Sequence, residues 1–157
     1  MEQNPVRLTS YTDYALRLLM YLALKDEGLA TIAEIATTYR ISKNHLMKVA
    51  YDLSVAGYVE TVRGRRGGLR LAKPADEIGL GEIVRLTEPD MALVPCLNAG
   101  DASCVIVKSC ILKGVLDKAR TAFVDVIDGY TLSDLVRPRR RMQGLLAIEP
   151  RNGVPAP

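Results

Sequence analysis

The sequence predicts a mainly α fold carrying one small β-hairpin, and three observations predict it. Apolar residues recur at spacings of three and four through the opening third of the chain. A β-prone run then breaks at a turn rich in glycine and arginine. Beyond a loop that holds three cysteines, the longest helical pattern of the chain begins.

Taken in order, Thr12 to Lys25 has the spacing of a helix, with Tyr14, Leu18 and Tyr21 or Leu22 on its inner face, and Gly28 closes it. Thr31-Ile-Ala-Glu34 is a capping box, in which hydroxyl and carboxylate each satisfy an orphan backbone donor, and it opens a short helix. After a break near Arg40 and Ile41, Ser42 is placed to cap the next helix. Leu46, Val49, Ala50 and Leu53 form its inner face, and Gly57 stops it. Tyr58 to Val62 and Leu69 to Leu71 can pair as strands around Arg63-Gly-Arg-Arg-Gly-Gly68. Helix, short helix, helix, hairpin is the order of a winged helix-turn-helix.

Pro74 punctuates the chain, and Ile78 to Leu86 has the pattern of a further helix. From Cys110 to about Asp128, Ile111, Leu112, Val115, Leu116, Ala119, Phe123, Val126 and Ile127 form one apolar stripe. Thr131-Leu-Ser-Asp134 is a second capping box, and from Pro138 onward the composition predicts a poorly ordered tail. The expected organisation is a DNA-binding unit over 7–89, a cysteine loop over 90–110, a long helix and its following segment over 111–136, and a flexible tail over 137–157.

With 157 residues, 48% hydrophobic and 25% charged, the composition is that of a globular protein whose core is filled by aliphatic residues, since there is one Phe and no Trp. A net charge of +3 is too small to identify a partner, so the placement of the basic residues matters more. The polar start lacks the apolar stretch of a secretion signal, and no apolar run approaches the roughly 20 residues of a membrane span. The expected location is cytoplasmic. No nucleophile–base pair, phosphate loop or cofactor fingerprint points to an enzyme.

In a helix-turn-helix the second helix presents its first turns to base edges in the major groove. Those turns hold Ser42, Lys43, Asn44, His45 and Lys48. Asn suits adenine, and Lys reaches guanine acceptors or phosphate. In the wing, Arg63, Arg65, Arg66 and Arg70 lie around three glycines that let the backbone bend, so that the arginines can reach phosphates or a narrow minor groove. A basic turn standing alone is often only a solvated face. Following a capped helix, a break and a polar-faced helix, it points to double-stranded DNA. The lone His45, beside Asn and Lys, is given no metal role.

Cys96, Cys104 and Cys110 are spaced C-x7-C-x5-C. Thiolates are soft ligands that suit zinc or iron–sulfur clusters, and three cannot all pair as disulfides. Paired C-x2-C knuckles are missing and the loop has no His, which disfavours structural zinc. Small buried residues, or a metal-free regulator whose thiols oxidise, are the readings that remain beside a cluster.

Arg7 to Arg17, Ser42 to Val49, Gly57 to Leu71, the three cysteines and Gly129 to Val136 together resemble the family of iron–sulfur winged-helix transcriptional regulators that includes NsrR, IscR and RirA. The resemblance spans roughly residues 7–136. It is nearest the nitric-oxide-sensing NsrR branch, through Asn44-His45 and the segment from Tyr130 to Val136. It implies a homodimeric repressor that holds a cluster, [4Fe-4S] in preference to [2Fe-2S], through Cys96, Cys104 and Cys110. Nitric oxide acting on that cluster releases the operator, and the long helix forms the dimer interface. Asp13 occupies the place of a fourth ligand supplied by the other subunit in some members; an acidic residue in a first helical turn is equally what the macrodipole favours. Lys113 lies where IscR-like members carry a ligating His, and the C-x7-C spacing also resembles iron-responsive RirA.

Overall fold

The computed structural model describes residues 6–25 and 28–149. Seven α-helices and one hairpin are found among them: α1 (Ser10–Leu24), α2 (Ile32–Tyr39), α3 (Lys43–Val55), β1 (Val59–Val62), β2 (Gly68–Leu71), α4 (Leu80–Thr87), α5 (Ile111–Asp128), α6 (Leu132–Leu135) and α7 (Arg139–Leu145).

Helix α1 is the centre of the core. Ala15, Leu18, Leu19 and Leu24 are wholly buried, and α2, α3, α4, α6 and α7 all pack on it. Full burial of one such aliphatic side chain is worth about 1.5–3 kcal/mol. Facing it, Ile35 comes from α2, while Leu46, Val49 and Leu53 come from α3. The threonine caps form as the sequence predicts. Thr31 accepts from the Glu34 amide while Glu34 reaches back to the Thr31 amide, and Thr131 and Asp134 repeat the exchange. Ser42 does stand at the N-cap of α3, but its hydroxyl makes no capping bond there.

The two strands are antiparallel, with Val59 opposite Leu71 and Val62 opposite Gly68. A short bridge between Ala30 and Leu69 ties the hairpin to the segment before α2, with hydrogen bonds of 3.0 and 2.7 Å. Gly68 allows this closeness, because a Cβ there would meet the Ala30 carbonyl oxygen at 2.8 Å. Buried Val59 and Leu69 then anchor the wing in the core.

Past α4 the packing changes. No residue from 88 to 130 is buried, and α5, the longest helix, contributes none to the core. Its last turn is nevertheless fixed: Asp128 pairs with Arg85 of α4 at 2.8 Å and approaches so closely that a Cβ on Gly81 would clash with its carboxylate. Leu132 and Val136 then return to the core.

One expectation is corrected. Residues 139–145 form α7 rather than a poorly ordered stretch. Gln143 is buried, and its amide donates to the Leu24 carbonyl at 2.8 Å, while Arg139 donates to Ala23 at 2.9 Å. These groups satisfy carbonyls that the last turn of α1 leaves open. The remainder of the expected tail, 150–157, lies outside the described residues.

Candidate functional site

The candidate DNA-facing surface is built on α3. With Leu46, Val49, Ala50 and Leu53 buried, helical geometry turns Asn44 and Lys48 outward, and Ser42, Lys43, Asn44, His45 and Lys48 are all exposed. Two of them are held by α1. The His45 ring stacks on Tyr14, with centroids 6.1 Å apart and planes inclined by 23°. The Lys48 ammonium lies 3.0 Å from the Asp52 carboxylate and 5.4 Å from the centre of the Tyr11 ring.

The Tyr11 hydroxyl donates to Asp52 through a short hydrogen bond. That bond, seconded by Lys48, holds the Asp52 carboxyl below its usual range. Desolvation, reinforced by the same carboxylate, pushes the Tyr11 phenol up to about 12. Lys48 is thus pre-positioned on the α1 side of α3, a geometry suited to a phosphate. Sequence reasoning missed Tyr11, which lies 41 residues from its partner Asp52; no short-range pattern signals such a pair.

The wing divides its arginines. Arg63, Arg65 and Arg66 are exposed around the turn. Arg70 instead spans β2 to β1 and donates to both oxygens of Glu60, at 2.8 and 3.1 Å. That pair is itself exposed and, like most surface ion pairs, worth little.

The cysteine loop leaves α4 at Glu88, whose carboxylate accepts from the Thr9 amide at 2.8 Å and from the hydroxyls of Thr9 and Thr12. The base of the loop is therefore joined to the start of α1. Cys96 lies in a short 3-10 turn, Pro95–Leu97, and lines an open cavity of about 580 Å³ with Asp101, Lys108 and Lys113. Cys110 is the N-cap of α5, where its sulfur accepts from the Lys113 amide at 3.4 Å. It lines an adjoining cavity of about 320 Å³ that shares Leu97 and Lys113 with the first. Cys104 is exposed and lines neither.

All three thiols are free, and among the described residues no three His, Cys, Asp or Glu side chains converge on a common point. Asp13, in the first turn of α1, pairs with Arg17 at 2.9 Å. As chemistry, three accessible thiols fit an iron–sulfur cluster and lack only a fourth donor. In position, this chain alone does not draw them together. No helix of the described residues is long and apolar enough to cross a membrane.

Comparison with known proteins agrees with this architecture. Residues 8–138 match the model of the Rrf2 family, described as an iron-dependent transcriptional regulator. The HTH-type transcriptional regulator NsrR of Bacillus subtilis is 50% identical over 145 residues, covering 92% of this chain and 99% of that protein. The regulator of the same name from Halalkalibacterium halodurans is 47% identical over 146 residues, covering 92% and 100%. Among solved structures, CymR of Staphylococcus aureus superposes with a TM-score of 0.68 at 30% identity, covering 82% of this chain and 97% of that one. These relatives are regulators and not enzymes, and with its winged helix-turn-helix the chain belongs to the Rrf2 family as an NsrR-like DNA-binding transcriptional repressor.

Proposed function

We propose that this repressor is a homodimer whose operator binding is controlled by an iron–sulfur cluster sensitive to nitric oxide. The observation that carries the reading is α5, none of whose residues is buried, which begins at a free cysteine and leaves Ile111, Leu112, Val115, Phe123 and Val126 of its apolar stripe exposed. Such a stripe calls for a second copy. Two copies joined along α5 present two α3 helices, and a twofold operator asks for a spacing of about 34–36 Å between them.

In this reading residues 7–89 bind DNA, 90–110 hold the cluster and 111–136 pair the subunits. Cys96, Cys104 and Cys110 supply three ligands, and Asp13 of the second copy supplies the fourth by giving up Arg17. [4Fe-4S] is preferred to [2Fe-2S]. When bound, the cluster supplies an iron site at which nitric oxide can act. The chain's own residues do the rest: Glu88 couples the loop to Thr9 and Thr12, and α1 in turn carries Tyr11 and Tyr14 against α3. Ser42, Lys43, Asn44 and His45 face base edges, while Lys48, Arg63, Arg65 and Arg66 meet phosphates, with Arg70 bracing the wing. A hundredfold change in affinity requires only about 2.7 kcal/mol of difference between the two states.

The test is anaerobic purification, iron and sulfide analysis, and titration with nitric oxide while operator binding is followed. Absorbance that bleaches as DNA is released is expected, and Cys104→Ala should be colourless and bind poorly. Tight operator binding by Cys104→Ala would sink the switch. A coloured protein indifferent to nitric oxide would move the signal to iron or redox, as in RirA-like members. The exposure of Cys104 favours one further reading, a metal-free thiol switch, for which the purified protein would be iron-free and yet bind DNA.

A further inference from the structure

The outward side of α3 is not wholly polar. Opposite the buried Leu46 and Val49, Asn44 is followed three residues on by Met47 and then, after four more, by Tyr51, which helical geometry stacks into one strip. Met47 is 55% exposed and Tyr51 69%. The flanking His45 and Lys48 are braced by Tyr14, Tyr11 and Asp52, so this strip adds an apolar stretch to the polar first turns that face base edges.

An A·T pair offers two things there: the adenine N7 and N6 groups, which suit an amide, and the thymine C5-methyl, which suits an apolar side chain. Asn44 and Met47 match that pair of features. A thioether on an unbranched stem adapts to such a contact, and Tyr51 one turn later can wall it from water. We propose that Met47 is an operator-specificity residue that reads a thymine methyl group beside the base contacted by Asn44. The inference rests on the placement of α3 in the major groove, and the strip is continuous with that surface.

The experiment selects duplexes from a random pool with the full chain purified without oxygen. Thymines are then replaced one at a time by uracil, which keeps every hydrogen-bonding group and loses only the methyl. One position per half-site should weaken wild-type binding about fourfold, the scale of one buried methyl group. Met47→Ala should lose the same factor on the thymine duplex and become indifferent to uracil at that position. Met47→Leu should keep the uracil penalty.

If every uracil costs Met47→Ala as much as wild type, or none costs wild type anything while operator binding persists, the proposal is overturned. Met47 and Tyr51 would then face another surface, such as a protein. If no duplex is selected at all, the underlying placement of α3 fails, which is a different result. Because Met47 is exposed, an unfolding midpoint equal to wild type separates lost reading from lost folding.

Discussion

Helices α1 and α5 are both amphipathic, yet one is buried by its own chain and the other is not. In α1, seven of 15 residues are buried, and its cap, its inner face and its last carbonyls are all met by other elements. In α5, 18 residues long, Ile111, Leu112, Val115, Phe123 and Val126 stand exposed, and only the last turn is fixed to the core. The same sequence period therefore has two meanings. It tells which face of a helix seeks apolar company, but not whether that company lies in the same chain.

The largest effect should fall on α1. Leu18→Ala removes a wholly buried side chain and should cost about 2–5 kcal/mol in denaturant unfolding. A milder loss would mean that α1 is less central than its burial indicates. Val126→Asp, the matching insult on α5, should leave the helical circular dichroism intact and weaken self-association at least tenfold, about 1.4 kcal/mol, in sedimentation. Unchanged sedimentation would remove α5 from the interface.

Thr12→Val keeps the shape of a fully buried residue and deletes its hydroxyl bond to Glu88. A cost of about 1–3 kcal/mol is expected, and a neutral result would show that the two Thr9 bonds alone suffice to hold the loop base to α1.

Glu34 offers a pH test. Burial alone would raise its carboxyl, but hydrogen bonds from Lys25, Tyr21 and the Thr31 amide, with the Lys25 charge, hold it below the ordinary value of 4.5. The folded state then binds that proton less readily than the unfolded chain. Its contribution is complete above about 4.5 and fades as pH falls through the lowered value. Unfolding midpoints of Glu34→Gln should lack this component; an identical acid profile would assign the pH dependence elsewhere.

The smallest effects belong to the wing. Arg65→Ala should reduce the salt slope of DNA binding by about one, whereas Arg70→Ala, already committed to Glu60, should reduce it less. Both should change stability by no more than about 0.5 kcal/mol. Equal slopes would show that Arg70 leaves Glu60 on binding.

Local signals were the legible ones. The inner face of α3, both threonine capping boxes and the hairpin follow from spacing and turn chemistry within a few residues. Long-range satisfaction of polar groups was not legible: Thr9 meets Glu88 79 residues away, and Leu24 meets Gln143 119 residues away. That is also why α7 escaped notice, since an arginine-rich stretch gives no sign that its glutamine will close another helix. For the cysteines, spacing showed that they share a loop, but whether they converge depends on how that loop folds. Met47 passed unremarked among polar neighbours because its meaning comes from exposure, which a sequence does not state.

The anchoring of α5 makes it a lever. Its fulcrum is the contact of Asp128 with Arg85 and Gly81, and its free arm carries Cys110. At 1.5 Å per residue the arm is about 27 Å long, so a tilt of roughly 5° at the fulcrum moves the cysteine end by about 2 Å. Helix α4 also carries the Glu88 tie to α1 at its end, so one eight-residue element bears both loads. Any tilt of α5 about that contact would therefore be borne by the same short helix that holds the loop base to α1.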